Sequence, residues 1–203
     1  MKIKLLFVFA ALSLLSCKEE KQTHDTRLDY LPPSPALVVK IVNLTNFKSE
    51  LKNNAILNNL KGFSSLEGLV DKLDNLGSVA TDRTSILALY EVGKDRYDFI
   101  VVLPNAPDAF NVESITNKTV ETLLYEGANI TKYTLDDNEI FSVSIGKEMV
   151  LSSSQLLIEN VARNKRNNPV DPMLKRLFEA SSVDKSASLY FNMENNPRLL
   201  SLK

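Results

Sequence analysis

From Ala36 onward the chain alternates short, densely apolar runs with longer stretches at helical spacing. Ala36 to Val42 is the first run. Leu37, Val38, Val39, Ile41 and Val42 are almost continuously apolar and β-branched, which predicts a strand in the sheet interior. The preceding Leu31-Pro32-Pro33-Ser34-Pro35 fixes φ and biases the chain to extended geometry, marking a stiff start to the fold. Asn43 to Leu60 then reads as a helix, with Phe47, Leu51, Ala55 and Leu60 near one face and Thr45 or Asn46 as its cap. A second helix opens on the capping box Ser64-Ser65-Leu66-Glu67. It carries Leu66, Leu69, Val70, Leu73 and Leu76 at helical spacing and stops at Gly77. These leucines form a core face in preference to a docking stripe, because a stripe of this width normally faces a sheet.

The middle third switches to period two. Thr84 to Val92 and Tyr97 to Leu103 are strands joined by the polar turn Gly93-Lys94-Asp95-Arg96, and Pro104 to Pro107 ends the second. Asn111 to Asn117 fits neither period. Thr119 to Tyr125, Ala128 to Leu135, Glu139 to Ile145 and Glu148 to Ser152 follow as further strands, with turns at Gly127, Asp136-Asp137-Asn138 and Gly146-Lys147. Turns this tight require antiparallel neighbours.

The last third returns to helix. Ser152-Ser153-Ser154-Gln155 reads as a capping box ahead of Leu156, Leu157, Ile158, Val161 and Ala162. Asp171-Pro172 is an N-cap followed by Pro at the first helical position, and Met173, Leu174, Leu177 and Phe178 supply that helix's face. Ser186 to Met193 is a final strand. Asn196-Pro197 then starts a new apolar pattern at Leu199, Leu200 and Leu202, read either as a domain that continues past the sequence or as a tail packing onto it. The whole predicts an α+β fold in the order β-α-α-β(several)-α-α-β, with an antiparallel sheet of about six to eight strands and helices packed on it.

The first thirty residues have a different logic. Lys2 and Lys4 precede an apolar or small run of eleven residues, Leu5 to Leu15. A membrane-spanning helix needs about 20, so this run reads as a secretory leader. Ser16 supplies the small residue before Cys17, the chain's one cysteine. Leu14-Leu15-Ser16-Cys17 resembles the lipobox of bacterial lipoproteins, with Leu15 bulkier than the usual occupant. The resemblance implies that residues 1–16 are a signal peptide and that Cys17 is acylated as the mature N-terminus. Lys18-Glu19-Glu20 resembles the surface-export signal of Bacteroidota lipoproteins, a lysine followed by two acidic residues. That likeness implies an outer-membrane, surface-exposed address reached through the lipoprotein processing and export machinery. Lys18 to Tyr30 is polar and aperiodic and reads as a disordered tether. The organisation expected is therefore a leader over 1–16, lipidated Cys17 and tether over 17–30, and one α+β domain over 31–203. Tyr125-Glu126-Gly127 through Val150-Leu151-Ser152-Ser153-Ser154, with the Pro-rich lead into the first strand, also resembles the N-terminal part of large Bacteroidota envelope lipoproteins. No function comes with that likeness.

Composition narrows the chemistry. After Cys17 the chain holds 22 basic against 25 acidic residues, a net charge of −3. Nucleic-acid binders show a basic face, so that class is set aside. With Cys17 lipidated no disulfide can form, and stability must come from the core. The roughly 170 residues after the tether suffice for one core burying around 70% of the unfolded surface. A Ser-His-acid triad needs a histidine held in the fold, and His24 sits in the tether. Cys/His zinc sites are excluded by count. Neither Gly-x-Ser-x-Gly nor a phosphate-binding glycine loop occurs among the six glycines. Asp136-Asp137-Asn138-Glu139 has the acidic density of a calcium loop but not the alternating spacing, and reads as a turn. Arg163-Asn164-Lys165-Arg166 lies at a helix C-terminus, where cations offset the dipole. Tyr90, Tyr97, Tyr125, Tyr133 and Tyr190 fall on predicted strands, as β-propensity favours.

No cofactor and no catalytic residue is expected. The reading is a non-catalytic binding or scaffold module of the cell envelope, held to the membrane by its lipid and meeting an envelope protein or glycan. The competing reading is the N-terminal fragment of a larger envelope hydrolase that works with carboxylates and has its active site elsewhere.

Overall fold

A computed structural model of the chain describes residues 25–44, 46–47, 75–94, 96–136, 138–165, 167–181 and 187–192. Eight strands form one antiparallel sheet: β1 Leu37–Ile41, β2 Ser85–Gly93, β3 Arg96–Pro104, β4 Lys118–Tyr125, β5 Ala128–Leu135, β6 Asn138–Ile145, β7 Glu148–Ser152 and β8 Ala187–Phe191. Their order across the sheet is β4-β5-β6-β7-β3-β2-β1-β8. Two α-helices are described, α1 Gln155–Asn164 and α2 Pro172–Ala180. The mixed class expected from sequence is present, dominated by the sheet. The helices expected over 43–60 and 64–76 lie outside the described residues, apart from a first turn near Leu44 and the end of the second, where Asn75–Ser78 is a 3-10 helix.

The β4–β7 meander is made by its turns. Glu126 and Gly127 both take positive φ, 46° and 80°, in a two-residue link whose right-handed twist matches the strands it joins. Gly146, at φ 63°, opens the equivalent link between β6 and β7. Residues 105–117 then carry the chain far enough from β3 that the meander folds back with β7 beside it. The segment over 111–117, which fitted neither period, is a run of turns in which Asn111 Oδ1 accepts the Glu113 N–H at 2.8 Å.

Both faces of the central strands are buried, which explains why β1, β2 and β3 read as continuous apolar runs. One face holds Val38, Ile86, Tyr90, Ile100 and Val150 under α1 and α2. The other holds Val39, Leu87, Phe99, Val101 and Leu103, packed with Leu76, Val79, Ala109 and Val112 from the connections. α1 lies across β5–β7, and α2 lies over β1 and β8, where the Phe178 and Tyr190 rings approach at 5.9 Å.

Several sequence expectations need correction. The tether expected over 17–30 ends sooner: Thr26–Tyr30 is a 3-10 helix with Leu28 and Tyr30 buried in the core. One turn carries too little periodicity to register in a sequence, yet its two apolar side chains fill the helix-side core. The first turn near Leu44 is capped by Asn43, whose Oδ1 accepts the Asn46 N–H at 2.8 Å, so Asn46 is inside the turn and is not its cap; Thr45 lies outside the described residues. The cap of α1 is Ser154, because Ser152 still belongs to β7. The three serines divide the junction between them. Ser152 Oγ donates to the Phe99 carbonyl at 2.8 Å, Ser153 Oγ accepts the Phe99 N–H at 3.0 Å, and Ser154 Oγ accepts the Leu157 N–H at 3.4 Å. Asp171 caps α2 with Pro172 behind it, as the sequence indicated. The face of α2 is split, however: Phe178 is fully buried, while Met173 and Leu177 are exposed.

Tyr90 ties the Pro-rich lead to the sheet, its buried hydroxyl donating to the Pro32 carbonyl at 2.9 Å. Burial holds its phenol well above the ordinary range near 10. The folded value exceeds the unfolded one, so the associated stability is complete below about pH 10 and is lost as pH rises through the folded value. In urea melts at pH 7, Tyr90→Phe should lose about 0.5–1.5 kcal/mol with its hydrogen bond. Between pH 9 and 11 the variant should fall less steeply than the parent. Parallel curves for the two proteins would contradict this account.

Candidate functional site

Cys17, Lys18, Glu19 and Glu20, the residues singled out for lipidation and export, lie outside the described residues, as does His24. The described chain begins at Asp25, eight positions after Cys17, a reach of at most about 28 Å. Asp25 caps the 3-10 helix through the Arg27 N–H at 3.1 Å and pairs with the Arg27 guanidinium at 2.7 Å. Arg27 also donates to the Thr84 carbonyl just before β2. The entry point is thus pinned to the body of the domain on the helix side of the sheet.

Beside this entry point runs an apolar groove of about 780 Å³. One wall is Leu31-Pro32-Pro33-Ser34-Pro35, where three prolines offer no N–H and Ser34 turns the chain at φ 61°. The opposite wall is the start of α2, with Met173 and Leu177, and the end of β8 closes the third side with Tyr190 and Phe191. Polar groups at the rim are few, chiefly Asp171, Ser34 and Asn192.

Under α2 lies a residue that the sequence reading passed over. Lys40, in the middle of β1, is only 8% exposed. Its ammonium donates to the Phe178 carbonyl at 3.2 Å and to Ser181 Oγ at 3.1 Å, and it sits 4.7 Å from the centre of the Phe178 ring. The carbonyl end of a helix carries partial negative charge, so Lys40 acts as a buried C-terminal cap. The signal was available in the sequence: one cation interrupting an otherwise apolar interior strand.

β8 forms one border of the sheet among the described residues. The Asn192 N–H donates to the Ala36 carbonyl at 3.0 Å, and β1 and β8 pair Val38 with Tyr190 and Val39 with Leu189. This phase turns the peptide groups of Ser188 and Tyr190 toward β1 and those of Ala187, Leu189 and Phe191 away from it. The strand, Ala-Ser-Leu-Tyr-Phe, has no charge. The opposite border, β4, carries Lys118 and Glu121, the kind of residue that blunts an edge.

The other sequence candidates are dispersed. Tyr90, Tyr125 and Tyr190 pack with the helix-side core, whereas Tyr97 and Tyr133 pack with the opposite one, so the tyrosines make no common face. Asp136 occupies a hairpin turn at φ 52°; Asp137 lies outside the described residues. No group of three or more His, Cys, Asp or Glu side chains placed to hold a metal occurs among the described residues. Arg163 donates to the Tyr125 hydroxyl and, at 3.3 Å, to Glu126. Those two bonds, Tyr125 first, raise its guanidinium above its usual range. Ser153 donates to the Asp98 carboxylate at 2.9 Å, a hydroxyl–acid pair that fastens β3 to the start of α1.

No helix among the described residues is long and apolar enough to cross a membrane. Against family models, curated proteins and solved structures the chain has no match.

Proposed function

We propose that the chain is an outer-membrane lipoprotein, anchored through acylated Cys17 and displayed at the cell surface, that serves as a non-catalytic binding or scaffold module of the envelope. The single structural observation supporting a contact role is the border formed by β8 and the exposed side of α2, where, among the described residues, backbone hydrogen-bonding groups without a strand partner and exposed apolar side chains lie together. Such a border favours association with protein by strand addition over small-molecule chemistry. The two additional helices over 43–60 and 64–76 complete the α+β order in this reading.

The experiment is protease treatment of intact cells. The parent protein should be cut from the surface. The triple variant Lys18→Ala, Glu19→Ala, Glu20→Ala should remain membrane-bound and become protected, because the export signal is lost and the lipid retained. A parent protein left uncut on intact cells would overturn surface display.

A further inference from the structure

Four of the eight large hydrophobic side chains exposed among the described residues gather at the β8 border. Met173 and Leu177 are 56% and 49% exposed on α2; Leu189 and Phe191 are 54% and 42% exposed on β8. The two pairs lie on opposite faces of the sheet. α2 covers the face of Val38 and Tyr190, while Leu189 pairs with Val39 and alternates with Ala187 on the other face. A ligand held in the groove would reach only the first pair. A sheet continued across β8, carrying its own layers above and below, would cover both. The continuing strand must also satisfy the outward peptide groups of Ala187, Leu189 and Phe191.

We propose that this strand is β8 of a second copy of the chain, paired antiparallel about a two-fold axis at Leu189, so that two sheets become one. β8 is self-complementary in that register. Phe191 of each copy stands opposite Ala187 of the other, large against small, and Ser188 stands opposite Tyr190. No like charges meet, because the strand has none. The axis runs perpendicular to the sheet, so helix side stays with helix side and the Met173 and Leu177 surfaces of the two α2 helices approach one another. The same symmetry puts both 3-10 helices, and hence both entry points at Asp25, on one face of the pair. Two lipid anchors on one face can enter one bilayer, and confinement there raises the effective concentration of the second copy. This last point rests on the lipoprotein reading above.

Single cysteines in the full-length, membrane-resident protein test the register, since the native Cys17 is acylated in this reading. Residue 189 meets its own symmetry mate in a hydrogen-bonded pair, with Cα atoms about 5.5 Å apart, within disulfide reach. Residue 188 lies roughly 8 Å from its mate and opposite residue 190, beyond the reach of a disulfide. Mild oxidation should therefore give a dimer band for Leu189→Cys that is about tenfold stronger than for Ser188→Cys or Tyr190→Cys alone. The double variant Ser188→Cys, Tyr190→Cys should recover it. Leu189→Lys, which places a charge at the centre of the pair, should abolish capture of the native protein by a bifunctional amine crosslinker acting elsewhere on its surface. Monomer in every case, equal crosslinking at 188 and 189, or a 189-linked band of different mass containing another protein would each overturn the self-pairing. Fractionating the same samples separates the two readings. A membrane-bound monomer sinks the self-pairing alone, whereas a 189-linked dimer absent from the membrane fraction sinks the anchor and leaves the pairing standing.

Discussion

Replacing Phe178 with alanine should lower the unfolding free energy by about 3–5 kcal/mol, a drop of roughly 10 °C in Tm for a domain of this size. Phe178 is the fully buried side chain of α2, with Leu174 packed partly buried against the same core. It packs between the Tyr190 ring and the Lys40 ammonium. Truncation opens a void and removes the ring that shields a cation already committed to the carbonyl end of α2. α2 holds β8 against β1, so the loss should spread to that border and make β8 the first strand to exchange its amide protons. Thermal melts measure the magnitude, and hydrogen exchange at Tyr190 measures the location. A loss below about 1 kcal/mol would mean that α2 is dispensable to the core. As a control, Leu177→Ala removes a side chain of similar bulk from the exposed side of the same helix, and its cost should stay within about 0.5–1 kcal/mol.

Cys17→Ala should move the protein from the membrane pellet to the soluble fraction and leave its melting curve unchanged. Each acyl CH₂ buried in the bilayer contributes about 0.8 kcal/mol, and stable attachment needs two membrane signals. In the lipoprotein reading, losing Cys17 would therefore remove the attachment itself. An uncleaved leader would not replace it, because eleven apolar residues fall short of the roughly 20 that span a bilayer. The fold should be indifferent, since its first described residue comes eight positions later. Fractionation checks the first half and circular dichroism the second. A variant that stays in the pellet with wild-type stability would show that another part of the chain holds the membrane.

Much of the sheet was legible in the sequence because β2 through β7 combine period-two or continuous apolar runs with turn residues that permit few alternatives. Gly127 and Gly146 mark their links almost unaided. The order of strands was not legible. Nothing local in β7 says that it lies beside β3, a pairing settled only when the meander packs. The cap of α1 lies two residues beyond the one expected because the run Ser152 to Ser154 offers several competent side chains, and the end of β7 decides among them. The split face of α2 shows the limit of periodicity. Met173 and Leu177 sit at helical spacing with Leu174 and Phe178, yet among the described residues the sheet beneath ends at β8 and leaves the outer pair exposed. Lys40 was missed for the opposite reason, as a polar residue discounted inside an apolar run. The residues proposed to direct localisation, Cys17 to Glu20, are read from a short linear signal and lie outside the described residues.

The position of β1 has a consequence for how this chain is made. The first strand is held between β2 and β8, and its partner Phe191 lies more than 150 residues downstream of Leu37. Pairings so distant in sequence form slowly, because loop closure must precede any gain from contact. The β4–β7 meander can assemble early from its own tight turns, but the sheet cannot close until nearly the whole domain has been synthesised. If residues 1–16 act as the export leader proposed above, that delay would benefit the chain. While β8 is still missing, β1 has one neighbour instead of two, the domain stays open, and an open chain can still be threaded across a membrane.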